Sequence, residues 1–180
     1  MADGTLKVGT ITTSSGSGTI TLGQSGETVT IPSGVTMSGI GKAIANYFAV
    51  DTTERNSTST SFTTASNTAS ITLTPASTSS KFALFSSFSI GNSGADKRSL
   101  ATIYRDSTNL GSSGGDSCII SSFSTQSNDK EIPASMVYTD TPNTTSSITY
   151  SLQFKTENGS YQCYVARRGL ISFNIIEYSG

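Results

Sequence analysis

From Ser147 to Glu157 the chain reads SITYSLQFKTE, and every second residue is apolar. Ile148, Tyr150, Leu152 and Phe154 alternate with Thr149, Ser151, Gln153 and Lys155. Successive side chains of a strand point to opposite faces, so this period puts one set on each side of an extended backbone. On a helix the same four apolar residues would be spread around the axis. The alternation returns in short runs, punctuated by Gly, Pro, Asn and Asp. SITLTP sets Ile71 and Leu73 on one face and stops at Pro75. KFALFSSFSIG turns Phe82, Leu84, Phe88 and Ile90 one way and Phe85 the other. LATIYRDSTNLG is a strand entering a turn, and SCIISSF and IPASMVYTD are further strands. Asn158-Gly159 is the dipeptide that a type I′ hairpin turn favours, so SYQCYVA is expected to return beside Ile148–Thr156. LISFNIIEYSG is the last strand.

SGIGKAIANYFAV fits two periods. Ile40, Ala43, Ile44, Tyr47 and Phe48 have helical spacing, whereas Ala45, Tyr47 and Ala49 alternate with Asn46 and Phe48 as a strand would. The reading adopted is a hinge around Gly39–Gly41 followed by a strand near Asn46–Thr53.

Ahead of the hinge the chain carries apolar pairs at alternate positions: Leu6 and Val8, Ile20 and Leu22, Val29 and Ile31, Val35 and Met37. Gly16, Gly18, Gly23, Gly26, Pro32 and Gly34 separate them. Strands this short are marginal by themselves in water. They bury too little to offset backbone ordering at about 1–2 kcal/mol per residue. Residues 1–40 are therefore expected to order against sister chains or a larger assembly, as an anchor. Residues 41–180 are expected to form the globular domain.

Composition fits an all-β protein with unusual outer faces. Only 13% of residues are charged, about half the usual share, and Ser and Thr make up roughly a third of the chain. The β-branched and aromatic content argues against disorder. Net charge is −1 and the cations are not clustered, so nucleic acid is not an expected partner. No apolar run approaches a membrane span of about 20 residues, so no membrane insertion is expected. The opening MADGTLKVG lacks the charged-then-apolar layout of a signal peptide, which predicts a soluble protein not exported by that route.

Roughly eight to ten short strands at near-regular spacing point to an antiparallel sandwich or barrel, and a jelly roll fits best. An immunoglobulin-like sandwich usually carries a core Trp, and this chain has no Trp. Several strands are apolar on both faces. Phe85, Ile176 and Tyr178 lie opposite core-facing neighbours, so they are expected to be covered by a partner subunit in an obligate oligomer. A trimer suits the fibrous N-terminus.

TSTSFTTASNTASITLTPASTSSKFALFSSFSIGN, ATIYRDSTNLG and SMVYTDTPNTTSSITYSLQFKTENGS resemble the C-terminal β-domain of tailed-bacteriophage fibre and virion structural proteins, especially those of marine and cyanobacterial phages. MADGTLKVGTITTSSGSGTITLG resembles the short leader that begins such proteins. The resemblance implies a homotrimer on the virion surface, attached to other virion proteins by its N-terminus and displaying the β-domain outward. A tail fibre or spike touching the host is one form of this, and a capsid decoration protein is the alternative. The chain departs from long tail fibres in having no shaft, coiled coil or repeat array.

Chemistry is sparsely represented. The absence of histidine removes the commonest general base and metal ligand. Cys118 and Cys163 lack zinc-site spacing, and they are either two thiols near strands or one bridge. GSGTITLG lacks the phosphate-loop pattern. Asp96, Asp106, Asp116, Asp129, Glu131 and Asp140 are the carboxylates a glycosidase would draw on, yet most fall in loops. Asp140 and Asn143 with nearby hydroxyls could offer calcium some of the roughly six to eight oxygens it takes, but nothing matches an EF-hand. No enzyme, cofactor or metal is expected. Two constellations suit glycan contact: Tyr104, Arg105, Asp106 and Asn109, and Tyr161, Tyr164, Arg167 and Arg168. The competing reading is strand-end tyrosines among solvated charges. A cellular lectin-like module is a more distant alternative, against which the glycine-rich leader argues.

Overall fold

The computed structural model describes residues 43–111, 116, 118–124 and 130–178. The expected anchor residues Leu6, Val8, Ile20, Leu22, Val29 and Ile31, the hinge and Asp129 lie outside them. Among the described residues there are twelve strands and no helix.

One sheet contains β1 (Ala43–Asp51), β2 (Arg55–Ser57), β5 (Lys81–Asn92), β9 (Lys130–Asp140), β11 (Cys163–Val165) and β12 (Ile171–Tyr178). The other contains β3 (Thr63–Thr64), β4 (Ile71–Leu73), β6 (Lys97–Arg105), β7 (Thr108–Asn109), β8 (Ile120–Ser124) and β10 (Ile148–Thr156). Several segments share a line. β5 pairs with β12 through Lys81–Ser87 and with β11 through Ile90–Asn92, and β1 and β2 flank β12 and β11 in turn. The first sheet therefore runs β1/β2, β11/β12, β5, β9 from edge to edge. The second runs β3/β4, β10, β6, β7/β8. All pairings are antiparallel, and the chain crosses repeatedly between sheets. This is the strand order of a jelly roll, a sandwich of two Greek keys.

The alternation explains the core. Phe82, Leu84, Phe88 and Ile90 of β5, Ile171, Phe173 and Ile175 of β12, and Ile148, Tyr150, Leu152 and Phe154 of β10 are all buried. Each such side chain contributes about 1.5–3 kcal/mol through burial. The Phe82 and Tyr150 rings meet across the sheets at 5.9 Å and 48°. In β1 the strand period prevails over helical spacing: Tyr47 and Ala49 pack on the core, while Ile44 and Phe48 are exposed.

The Asn158-Gly159 expectation fails. β10 and β11 lie in different sheets, so residues 157–162 form a crossover rather than a hairpin. Asn158 is not among the residues with left-handed backbone, which a type I′ turn requires. Its side chain instead accepts from the Ser160 amide at 2.9 Å and its carbonyl from the Tyr161 amide at 3.1 Å. The tight hairpin turn falls between β6 and β7, where Asp106 has φ 52°.

The line of β1/β2 breaks where Asp51 accepts from the Thr53 amide, and that of β11/β12 breaks at Ala166, with φ 60°. At the first break the buried Asp51 carboxylate also accepts from the Ser66 hydroxyl and from Arg55 at 2.9 Å. The Ser66 bond, the Thr53 amide and then Arg55 together hold its pKa down at about 2.

Polar groups also join the sheets at each end. At one end Arg105 Nη1 lies 2.8 and 2.7 Å from the two Asp140 oxygens, and the Tyr150 hydroxyl donates to Asp140 at 2.6 Å. At the other the buried Asn92 amide donates to Ser99 and Thr156, each at 3.2 Å. Among the described residues β9 is an edge strand, with Pro133 opposite Ser89 in mid-strand.

Two outcomes are expected. Leu84→Ala, fully buried between the sheets, should cost about 2–5 kcal/mol in urea unfolding. The second concerns acid. A carboxyl whose folded pKa lies below its unfolded value of about 3.9 stabilises the fold above that pH and loses the effect as pH falls. Asp51 should thus make stability drop from about pH 4 toward its folded pKa of about 2. Asp51→Asn should flatten that part of the pH profile, and an unchanged slope would contradict the assignment.

Candidate functional site

The outer face of the first sheet is the least ordinary surface. Strand register aligns Phe48, Asn174, Phe85 and Val137 as one rank across β1, β12, β5 and β9. Phe48 is 64% exposed, Phe85 39% and Val137 66%. The adjoining ranks are Asn46–Ile176–Ala83–Thr139 and Val50–Ser172–Ser87–Ser135. None of the residues in these three ranks is charged. Phe85, Ile176 and Tyr178 all face outward here as expected from the sequence, although Ile176 and Tyr178 are half-buried. Sequence reasoning missed Phe48 and Val137 as members of the patch. The signal was available: each sits between residues facing the core, Tyr47 and Ala49, or Met136 and Tyr138.

The two loop constellations fall at opposite ends of the sandwich. The first lies at the end where β1 begins, because Ala43, Lys81 and Asp140 flank that end and Asp140 reaches Arg105. Its members serve the fold. Tyr104 packs on Phe62 at 6.0 Å, and Arg105 is committed to Asp140. Asp106 accepts from the Thr149 amide at 2.8 Å, and Asn109 accepts from the Thr102 hydroxyl and the Gly111 amide. Asp140 is thus the inter-sheet carboxylate, surrounded by Arg105 and Tyr150 rather than by loop oxygens. Burial, followed by the bond to Asp140, raises the Tyr150 pKa.

The second constellation lies at the far end. Arg167 stacks on the Tyr164 ring at 4.5 Å and approaches Glu54 at 3.7 Å, tying the two strand breaks together. The Arg167 and Arg168 amides both donate to Glu131 at 3.0 Å. The Tyr164 hydroxyl donates to Gln162, and Tyr164 is buried. Arg168 is exposed, and Tyr161 is half-buried over Gly94, with Lys97 6.0 Å from its ring.

Beside this group is a polar cleft of about 290 Å³ lined by Thr60, Arg98, Asp116, Lys155, Glu157 and Asn158, among others. Arg98 bridges Glu157 at 2.6 Å and Asp116, and these bonds raise its pKa. Lys155 lies over Phe62 at 4.6 Å. The cleft joins residues from separate strands and loops, so no linear motif announced it. Cys118 and Cys163 are free. Burial pushes the Cys163 thiol up to about 12, so it is protonated at neutral pH. Among the described residues no group of three or more His, Cys, Asp or Glu could hold a metal ion.

No family profile matches the sequence, and no curated protein matches it. In structure, the chain is similar to one from the "Structure of infectious bursal disease virus Gx strain", at 11% identity and a TM-score of 0.41. The similarity covers 83% of this chain and 42% of that one, so this chain spans less than half of its length.

Tyr161 depends on Gly94. A Cβ at that glycine would lie 2.5 Å from Tyr161 Cδ1 and 2.6 Å from its Cγ, close to the ring's stem, where it cannot swing clear. Gly94→Ala should cost about 1–3 kcal/mol in thermal unfolding. Adding Tyr161→Ala should recover part of that loss, and a double variant no more stable than Gly94→Ala would refute the contact.

Proposed function

We propose that the chain is a virion structural protein of a tailed phage. In this reading it is a homotrimer whose residues 1–40 engage other virion proteins and whose β-sandwich is displayed for host attachment. The observation that carries the reading is the pairing of a jelly-roll strand order with an outer sheet face whose central ranks are uncharged and expose Phe48, Phe85 and Val137. Jelly rolls serve in capsid and lectin domains, and a fold by itself does not choose between them. An exposed apolar patch of several hundred Å² marks a surface that works covered. The resemblance of the strand segments to phage fibre and virion proteins supports the same class.

Within this reading, the far end of the sandwich is the better candidate for glycan contact. Arg168 is exposed there, Tyr161 is half-buried, and the polar cleft adjoins them. Arg105 and Asp140 at the near end are engaged with each other. The proposed role requires no catalytic step and no cofactor.

A cryo-electron-microscopy map of the intact particle tests the proposal. Density for this chain on the tail is the expected result and would direct glycan screening to the far-end loops. Density over the capsid lattice would make it a decoration protein. Absence from purified particles would refute both forms. Deleting residues 1–38 should leave a folded β-protein, by circular dichroism, that no longer joins particles.

A further inference from the structure

We infer that the outer face of β1, β12, β5 and β9 is where copies of this chain meet, with the Phe48–Asn174–Phe85–Val137 rank as the centre of contact. The inference deepens the proposed oligomer by naming its surface. The apolar residues are not scattered: Phe48 and Val137 lie on the two edge strands, and Phe85 lies on a central one. Ile176 and Ala83 extend the patch by one rank.

Charge selects the occupant. When identical surfaces meet about a symmetry axis, residues near the axis approach their own copies, so a charge at the centre of the contact meets its like. A face without charge avoids that repulsion altogether. The three central ranks carry no charge, in a protein whose ion pairs gather at the loops and at the ends of the sandwich. Lys81 on β5 and Glu131 on β9 lie toward opposite ends of this face, outside these ranks. A nucleic acid would require cations across the face, and an anionic membrane surface would require a basic rim. The aligned hydroxyls of Ser172, Ser87 and Ser135 can donate and accept, so they can bond to their counterparts in another copy.

The size fits a modest contact. Four strand lines at about 4.8 Å and the roughly six residues that three ranks occupy at about 3.3 Å give a flat footprint of roughly 380 Å². Side-chain relief makes the accessible area larger than this flat footprint. That places the three ranks below the roughly 800 Å² per partner of standard interfaces, as the centre of a contact that their neighbours widen.

Sedimentation of the full chain and of two variants tests this. Val137→Lys and Phe48→Ser alter side chains that are mostly exposed, so the core is untouched. The wild-type chain should sediment as a multiple of 18.7 kDa. Val137→Lys should give 18.7 kDa monomers with an unchanged β spectrum. It should weaken association by on the order of a hundredfold or more, because a lysine would be buried without a partner. Phe48→Ser should shift the equilibrium the same way by a smaller factor. A wild-type monomer at micromolar concentration would overturn the inference, as would an oligomer indifferent to both variants. Either failure leaves the particle assignment intact, because the map of the virion is independent of it. Conversely, a chain that self-associates through this face but is missing from particles would retain the interface and lose the virion role.

Discussion

Asp140 is the point on which the arrangement of the two sheets turns. It ends β9 in one sheet, yet both of its partners, Arg105 and Tyr150, belong to the other. A buried ion pair adds little net stability, because removing its charges from water offsets most of the attraction. Its value here is positional. Aliphatic and aromatic side chains can pack in several nearly equivalent ways, whereas a carboxylate held by a guanidinium and a phenol has one place to sit. Asn92 does the same at the opposite end through amide bonds to Ser99 and Thr156. A slip of one residue between the sheets would break both ties, whereas the outer ranks are aligned by strand pairing within the first sheet.

The strands were legible in the sequence because a single period decides which face a residue occupies. Ile148 to Phe154 and Phe82 to Ile90 fall where their alternation places them, and so does the outward Phe85. Partners were harder to read, because strand pairing in a jelly roll joins segments distant along the chain. Asn158-Gly159 satisfies a local rule for reversal, but the chain there leaves one sheet for the other, and contacts such as Ser93 with Gln162 decide its path. Charged residues misled for a related reason. Arg105 and Asp106 look like a recognition loop when read in line. In three dimensions one secures a seam and the other a turn. The cleft around Arg98 had no linear trace, since Asp116 and Glu157 meet only through the fold.

The distribution of polarity gives the sandwich distinct directions. Hydroxyls and apolar groups cover the first sheet's outer side, whereas ion pairs occupy the loops and ends. The end where β1 begins is knitted by the Arg105–Asp140–Tyr150 group. The far end holds the Arg98 bridge, the Arg167–Tyr164 stack and the Glu131 contacts with two successive amides. Arg168 at the far end can vary with little effect on the core, because it is exposed and its bond to Glu131 comes from the backbone amide.

Pro133 has a consequence for solubility. Among the described residues no strand pairs with the outer side of β9, and such a row of backbone groups is the usual template for runaway edge-to-edge polymerisation. Proline has no amide hydrogen, so midway along that border there is one donor fewer for an incoming strand, and the ring obstructs its approach. Phe123 is exposed on β8, at one margin of the second sheet, where the strand is only five residues long. Along the β9 margin strand addition is thereby interrupted partway, whereas the broad side of the sheet is left open to contact.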